Sequence, residues 1–177
     1  MNYSAIKNFD IADGPGVRVS LFVSGCRNHC KGCFQPETWD FNYGNPYTAE
    51  TEREIMNRLK PYYIDGLTVL GGDPMEPENI ETVTALCRKV KETYTDKTIW
   101  VYTGYRWEDV SGQEIMQYID YLVDGPFIED LKDISLRFRG SRNQRIIDVS
   151  DALAYTGEEA KNEKNTEESY QVPKKNR

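Results

Sequence analysis

Apolar positions along this chain fall into two kinds of run that alternate. Short β-branched runs at 17–23 (VRVSLFV), 66–70 (GLTVL), 98–102 (TIWVY) and 119–123 each predict a buried strand. Between them, 48–59 and 77–94 carry apolar residues at helical spacing. Ile55 and Leu59 share one face of the first, with Thr48 as its N-cap. Ile80, Val83, Leu86, Cys87 and Val90 form an i, i+3, i+4 stripe on the second. A shorter helix is expected over 112–118, and 144–149 (QRIIDV) suggests a fifth strand. Strands alternating with helices predict a parallel sheet with right-handed crossovers. Four or five such units cannot close an eight-fold barrel, which takes about 250 residues. The expected fold is therefore α/β, an open or partial βα barrel with flanking helices.

Composition changes that picture at one end only. The mean hydropathy of −0.69 is low for a compact domain, and the stretch from Gly157 (GEEAKNEKNTEESYQVPKKNR) accounts for it. Almost nothing apolar is available there to offset the entropy of ordering, so 157–177 is expected to be a disordered tail on a domain of residues 1–156. The tail holds five acids and five bases, so the net charge of −7 belongs to the domain. A negative surface repels phosphate backbones and anionic membranes, so nucleic acid and membrane are not expected partners. No run of about 20 apolar residues is present, and MNYSAIKNFD has no signal-peptide pattern. The expectation is a cytoplasmic protein, in which cysteines serve metal or redox chemistry rather than disulfides.

Of the four cysteines, Cys26, Cys30 and Cys33 lie in GCRNHCKGC, directly after the first predicted strand. Active sites of α/β folds gather at the C-terminal ends of parallel strands. Thiolates this close in sequence converge when they grip something, and soft sulfur favours an iron–sulfur cluster or zinc. Structural zinc takes four ligands. Cys87 lies on the apolar stripe, where a packed thiol is the simpler reading, and His29, next to Cys30, would strain the loop to reach the same ion. Three ligands on a four-iron cluster leave one iron open, which points to catalysis on a bound substrate.

This C-x3-C-x2-C spacing resembles the signature of the radical S-adenosylmethionine enzymes. Two flanking segments sharpen the resemblance: Asp13-Gly14-Pro15-Gly16-x-Arg18 before the cysteines, and Gly71-Gly72-Asp73-Pro74 after the second strand. Both are similar to the glycyl-radical-enzyme activases. The stretches LFVSGC (21–26), GLTVLGGDP (66–74), WVYTGY (100–105), VDGPF (123–127), DLKD (130–133) and FRGSRNQR (138–145) resemble the subgroup that serves an anaerobic ribonucleoside-triphosphate reductase. The resemblance covers about residues 1–149.

What it implies is specific. The fold would be a partial barrel of the radical S-adenosylmethionine type. One [4Fe–4S] cluster would be held by Cys26, Cys30 and Cys33, and its open iron would chelate S-adenosylmethionine. The Gly71-Gly72-Asp73 turn would receive the methionine ammonium group, the acid complementing its charge. Gly32 stands where much of the superfamily has an aromatic before the third cysteine, so Phe34 becomes the candidate adenine platform, with core packing as its other reading. Thr103 and Asp124, near the ends of later strands, are candidates for ribose and carboxylate contacts; Asn143 and Arg145 would touch cofactor or partner, with a surface salt bridge as their other reading. The implied partners are the large subunit of the reductase and a low-potential electron donor, flavodoxin or ferredoxin. Two other readings stand beside this one: a radical enzyme on a small molecule, similar to 7-carboxy-7-deazaguanine synthase, and a non-catalytic zinc-binding module.

Overall fold

The computed structural model describes residues 1–154, so the tail expected over 157–177 lies outside the described residues. In chain order the strands and helices are β1 (Asn2–Asp10), β2 (Arg18–Val23), β3 (Asn45–Pro46), α1 (Ala49–Leu59), β4 (Gly66–Gly71), α2 (Pro77–Thr93), β5 (Thr98–Tyr102), α3 (Trp107–Val110), β6 (Tyr121–Asp124), β7 (Arg145–Asp148) and α4 (Val149–Ala154). The strands form one open sheet in the order β3-β1-β2-β4-β5-β6-β7.

The four central strands are parallel: Arg18 stands opposite Gly66, Gly66 opposite Thr98, and Trp100 opposite Tyr121. The flanks depart from the expected parallel sheet. β1 and β3 on one side and β7 on the other pair antiparallel to their neighbours. The cause lies in the connections. Parallel neighbours need a crossover of a dozen or more residues, usually helical. The link from β1 to β2 is too short for one, and 125–144, between β6 and β7, holds only a 3₁₀ turn at Glu129–Leu131. The helix expected over 112–118 is a 3₁₀ turn at Glu114–Gln117, preceded by α3.

Alternation along the central strands sorts the two faces. Val19, Leu21, Val23, Leu67, Val69, Ile99, Val101 and Leu122 pack against Ile55 and Leu59 of α1 and Val83, Leu86, Cys87 and Val90 of α2 in one apolar core. Full burial of a large aliphatic side chain contributes roughly 1.5–3 kcal/mol, so this stripe, more than helix propensity, holds α2 in place. Thr48 caps α1 as expected, accepting from the Thr51 amide while the Thr51 hydroxyl accepts from the Thr48 amide. The alternate positions, Arg18, Ser20, Phe22, Thr68, Trp100 and Tyr102, face the other way. There Phe138, from the long 125–144 connection, meets Trp100 edge-on with ring centroids 5.6 Å apart.

Candidate functional site at the strand ends

β2 runs straight into the cysteine loop, and three elements hold that loop. The Gly25 amide donates to the Thr38 carbonyl at 2.8 Å and the Cys26 amide to the Trp39 carbonyl at 3.2 Å. From the turn after β4, the Gly72 amide donates to the Val23 carbonyl at 2.7 Å and the Asp73 amide to the Gly25 carbonyl at 2.8 Å. A Cβ on Gly72 would come within 2.6 Å of the Gly25 oxygen and 2.9 Å of the Thr38 oxygen, so only glycine lets the two loops touch. The start of α2 supplies the third hold. The buried Glu76 carboxylate accepts from the Arg27 amide at 2.7 Å and from Arg27 Nη1 at 2.5 Å. Asn79 Nδ2 donates to the carbonyls of Ser24 and Asp73, both at 2.9 Å.

Cys26, Cys30 and Cys33 border one cleft of about 520 Å³, together with Phe34, Gly71, Gly72, Asp73 and Thr103. That size lies within the range of about 300–1,000 Å³ usual for small-ligand sites. Burial, with the Asp73 charge adding to it, pushes the Cys26 thiol up to about 11. Burial also raises Cys30. Cys26 is therefore a neutral thiol near pH 7. Cys87 lies in the core on the far side of the sheet, with its thiol pushed up to about 12 by burial, as a packed thiol should be.

Among the described residues, no three His, Cys, Asp or Glu side chains are grouped as the shell of one metal ion. Three soft sulfur donors spaced around a cleft of this volume fit a larger iron–sulfur group, which takes thiolate ligands.

Asp73 is 1% exposed. Its Oδ1 accepts from the Met75 amide at 3.0 Å and the Thr103 hydroxyl at 2.8 Å. Its Oδ2 accepts from Asn28 Nδ2 at 3.0 Å and the Gly104 amide at 2.9 Å. Burial raises this carboxyl to about 6, against the pull of those donors. Asp73 thus ties the β4 turn to the end of β5 and to the cysteine loop.

The other expected site residues are placed unevenly. Phe34 is 67% exposed, which rules out core packing; its ring stands at the rim, 5.3 Å from that of Phe127. Gly32 does not border the cleft and lies against Glu129, with φ at +73°. Asp124 is buried beside the cleft and accepts from the Trp107 amide at 2.8 Å and Arg145 Nε at 3.0 Å; its neighbour Gly125 is the lining residue. Arg145 also reaches Glu108 at 3.0 Å, and Asn143 donates to the Pro126 carbonyl. His29 is exposed and stacks on Trp39, with ring centroids 4.6 Å apart. From the DGPG-x-R segment, Asp13 borders the cleft while Arg18 is fully buried. Sequence reasoning missed Asn28, Glu76 and Asn79. Each has a partner 45 to 55 residues away along the chain, Asp73 for Asn28, Arg27 for Glu76 and Ser24 for Asn79, and no local pattern marks such a contact.

An open α/β sheet with three thiols at the end of its first parallel strand is the arrangement of a single-cluster iron–sulfur protein, and residues 12–147 match the family model described as a 4Fe-4S single cluster domain. Three relatives narrow the class. The anaerobic ribonucleoside-triphosphate reductase-activating protein of Vibrio cholerae is 45% identical over 150 residues, covering 82% of this chain and 97% of that one. The proteins of the same name from phage T4 and Escherichia coli K12 are 40% and 41% identical over 153 and 148 residues, covering 86% and 81% of this chain and 97% and 96% of theirs. The chain belongs to the family of anaerobic ribonucleoside-triphosphate reductase-activating proteins. Among the described residues, no helix is long and apolar enough to cross a membrane.

Proposed function

We infer that this chain activates an anaerobic ribonucleoside-triphosphate reductase by generating a glycyl radical in its large subunit. The carrying observation is that Cys26, Cys30, Cys33 and the Gly71-Gly72-Asp73 turn border a single cleft at the strand ends. In this reading the three cysteines hold a [4Fe–4S] cluster and S-adenosylmethionine lies across the cleft. Held there, a reduced cluster would supply the electron for cleaving S-adenosylmethionine to methionine and a 5′-deoxyadenosyl radical, which would take a hydrogen atom from a glycine Cα and end as 5′-deoxyadenosine. The open sheet then serves as a partial barrel of the radical S-adenosylmethionine type.

The protein's own residues set the conditions. The turn at Gly71-Gly72-Asp73 receives the ammonium end, and Phe34, exposed at the rim in contact with Phe127 and Lys132, is the aromatic that meets the adenine. Thr103 lies on the same wall for a ribose or carboxylate contact, while Gly32 and Asp124 act at one remove, through the backbone beside Cys33 and the Gly125 wall. Hydrogen transfer needs the glycine Cα in van der Waals contact with the 5′ carbon, so a loop of the reductase enters the cleft and displaces water from it. The electron comes from a low-potential donor, flavodoxin or ferredoxin, in the cytoplasm.

Mixing the reduced protein, S-adenosylmethionine and the reductase subunit under anaerobic conditions should give an electron paramagnetic resonance doublet from one α-hydrogen coupling. Replacing the acceptor glycine by alanine should abolish it. Turnover of a deazapurine precursor with no doublet would transfer the site to small-molecule chemistry, and one zinc per chain without iron or sulfide would make it a structural module.

A further inference from the structure

Asn28 stands between two groups that nothing else in the cysteine loop joins. Its side-chain Nδ2 lies 3.0 Å from Asp73 Oδ2 and 3.7 Å from Cys26 Sγ. A primary amide carries two N–H bonds, so one nitrogen can serve both acceptors. Its orientation is enforced, because the amide oxygen turned toward Asp73 would face a carboxylate. Asp73 is itself pinned by Met75, Thr103 and Gly104. Gly104 lies close against the same amide, where a Cβ would fall 2.2 Å from Asn28 Nδ2. Three segments distant in sequence thus converge to aim one amide at one sulfur.

We propose that Asn28 is a positioning residue which, oriented by Asp73, donates an N–H to the Cys26 sulfur and raises the reduction potential of the cluster that Cys26 ligates. This rests on the ligand reading of Cys26 given above. Hydrogen bonds to cysteine sulfurs are among the levers that set cluster potentials. The direction follows from charge. Reduction adds one electron to the cluster, and the positive end of an N–H dipole stabilises that added charge. The bare Asp73 carboxylate would do the opposite. Asn28 turns the carboxylate's influence around by spending one N–H on it and presenting the other to the sulfur.

Two variants reach the same contact by different chemistry. Asn28→Leu keeps most of the volume and removes the donor, while Gly104→Ala displaces the amide. Both should retain wild-type iron and sulfide, and at a fixed electrode potential the ratio of reduced to oxidised cluster should fall about tenfold, equivalent to about 59 mV for a one-electron couple. An unchanged or higher ratio with a full cluster overturns the proposal. A third measurement needs no variant. Pulsed paramagnetic resonance on the reduced wild-type protein, with the asparagine side-chain nitrogen isotopically labelled, should show coupling from that nitrogen, and its absence overturns the proposal as well. Cys26→Ala separates the two levels. A full cluster in that variant sinks the ligand reading, and with it this one; a lost cluster beside unmoved potentials in the Asn28 and Gly104 variants sinks this one alone.

Discussion

Arg18 Nη2 donates to the backbone carbonyl of Thr98, 80 residues further along, at 2.9 Å. Between them lies Gly66, whose missing side chain makes the passage possible: a Cβ there would fall 1.8 Å from that same carbonyl oxygen. The guanidinium also donates to the Leu67 carbonyl, the Thr68 hydroxyl and the Pro15 carbonyl. It therefore fastens the starts of three parallel strands. A hydrogen bond from a charged group contributes about 1.5–3 kcal/mol. Arg18→Met, which leaves buried carbonyls unpaired, should destabilise the protein by about 2–4 kcal/mol in chemical denaturation of the cluster-free form. A loss below about 1 kcal/mol would mean that the strands are held by their ladders alone.

The cysteines should divide sharply. Alanine at Cys26, Cys30 or Cys33 should abolish the charge-transfer absorption of the reconstituted protein and its bound iron and sulfide. Cys87→Ala should keep all three readouts and cost only about 1–2 kcal/mol of stability, the scale of a small void in a packed core. Iron lost from Cys87→Ala, beside iron kept in one of the loop variants, would reverse the assignment.

Gly72→Ala tests the contact between the β4 turn and the cysteine loop. The added methyl must move the Gly25 carbonyl, and overpacking of this kind costs about 1–3 kcal/mol. Because Gly25 precedes Cys26, iron incorporation should fall along with stability. Gly112→Ala, where a Cβ meets nothing within 4 Å, is the control and should stay within about 0.5 kcal/mol of wild type. Equal behaviour of the two variants would show that the close approach at Gly72 is not a constraint.

Asp13 gives the cluster-free protein a pH signature. Burial, then the neighbouring Asp10, raises its carboxyl from 3.8 to about 7. Between those values the folded chain holds a proton that the unfolded chain has released, so this group's contribution to stability falls as pH rises through the window and is level above it. Asp13→Asn lacks that slope. Urea midpoints of the two proteins should therefore diverge in favour of the variant between about pH 4 and about pH 7, then run parallel. Parallel midpoints throughout would show that Asp13 titrates normally.

The sequence was most informative where burial is complete. β2, β4 and β5 lie within a residue of their apolar runs, and four of the five stripe positions on α2 are fully buried, with Ile80 partly so. β1 escaped because it is a half-exposed strand, with Lys7, Asn8 and Phe9 all exposed, leaving no apolar alternation to detect. The direction of β7 depends on what the 125–144 connection does, which periodicity does not encode. In the site, the cysteines announce themselves through spacing. The long-range contacts of Asn28, Glu76 and Asn79 exist only once β2, β4 and α2 have been brought together.

The borders of the sheet bear on how this protein meets other chains. On one border β3 covers only Asn2 and Tyr3 of β1, and the remainder of β1 is broken by register shifts, with Phe9 at φ +57°. Pro46, which has no amide to offer, closes the two-residue strand outside it. On the other border β7 is four residues long, with a charged residue at each end. Neither rim is a good template for an added strand. Self-association into extended sheets is accordingly discouraged even at high concentration, and a visiting chain gains little by zippering onto either side.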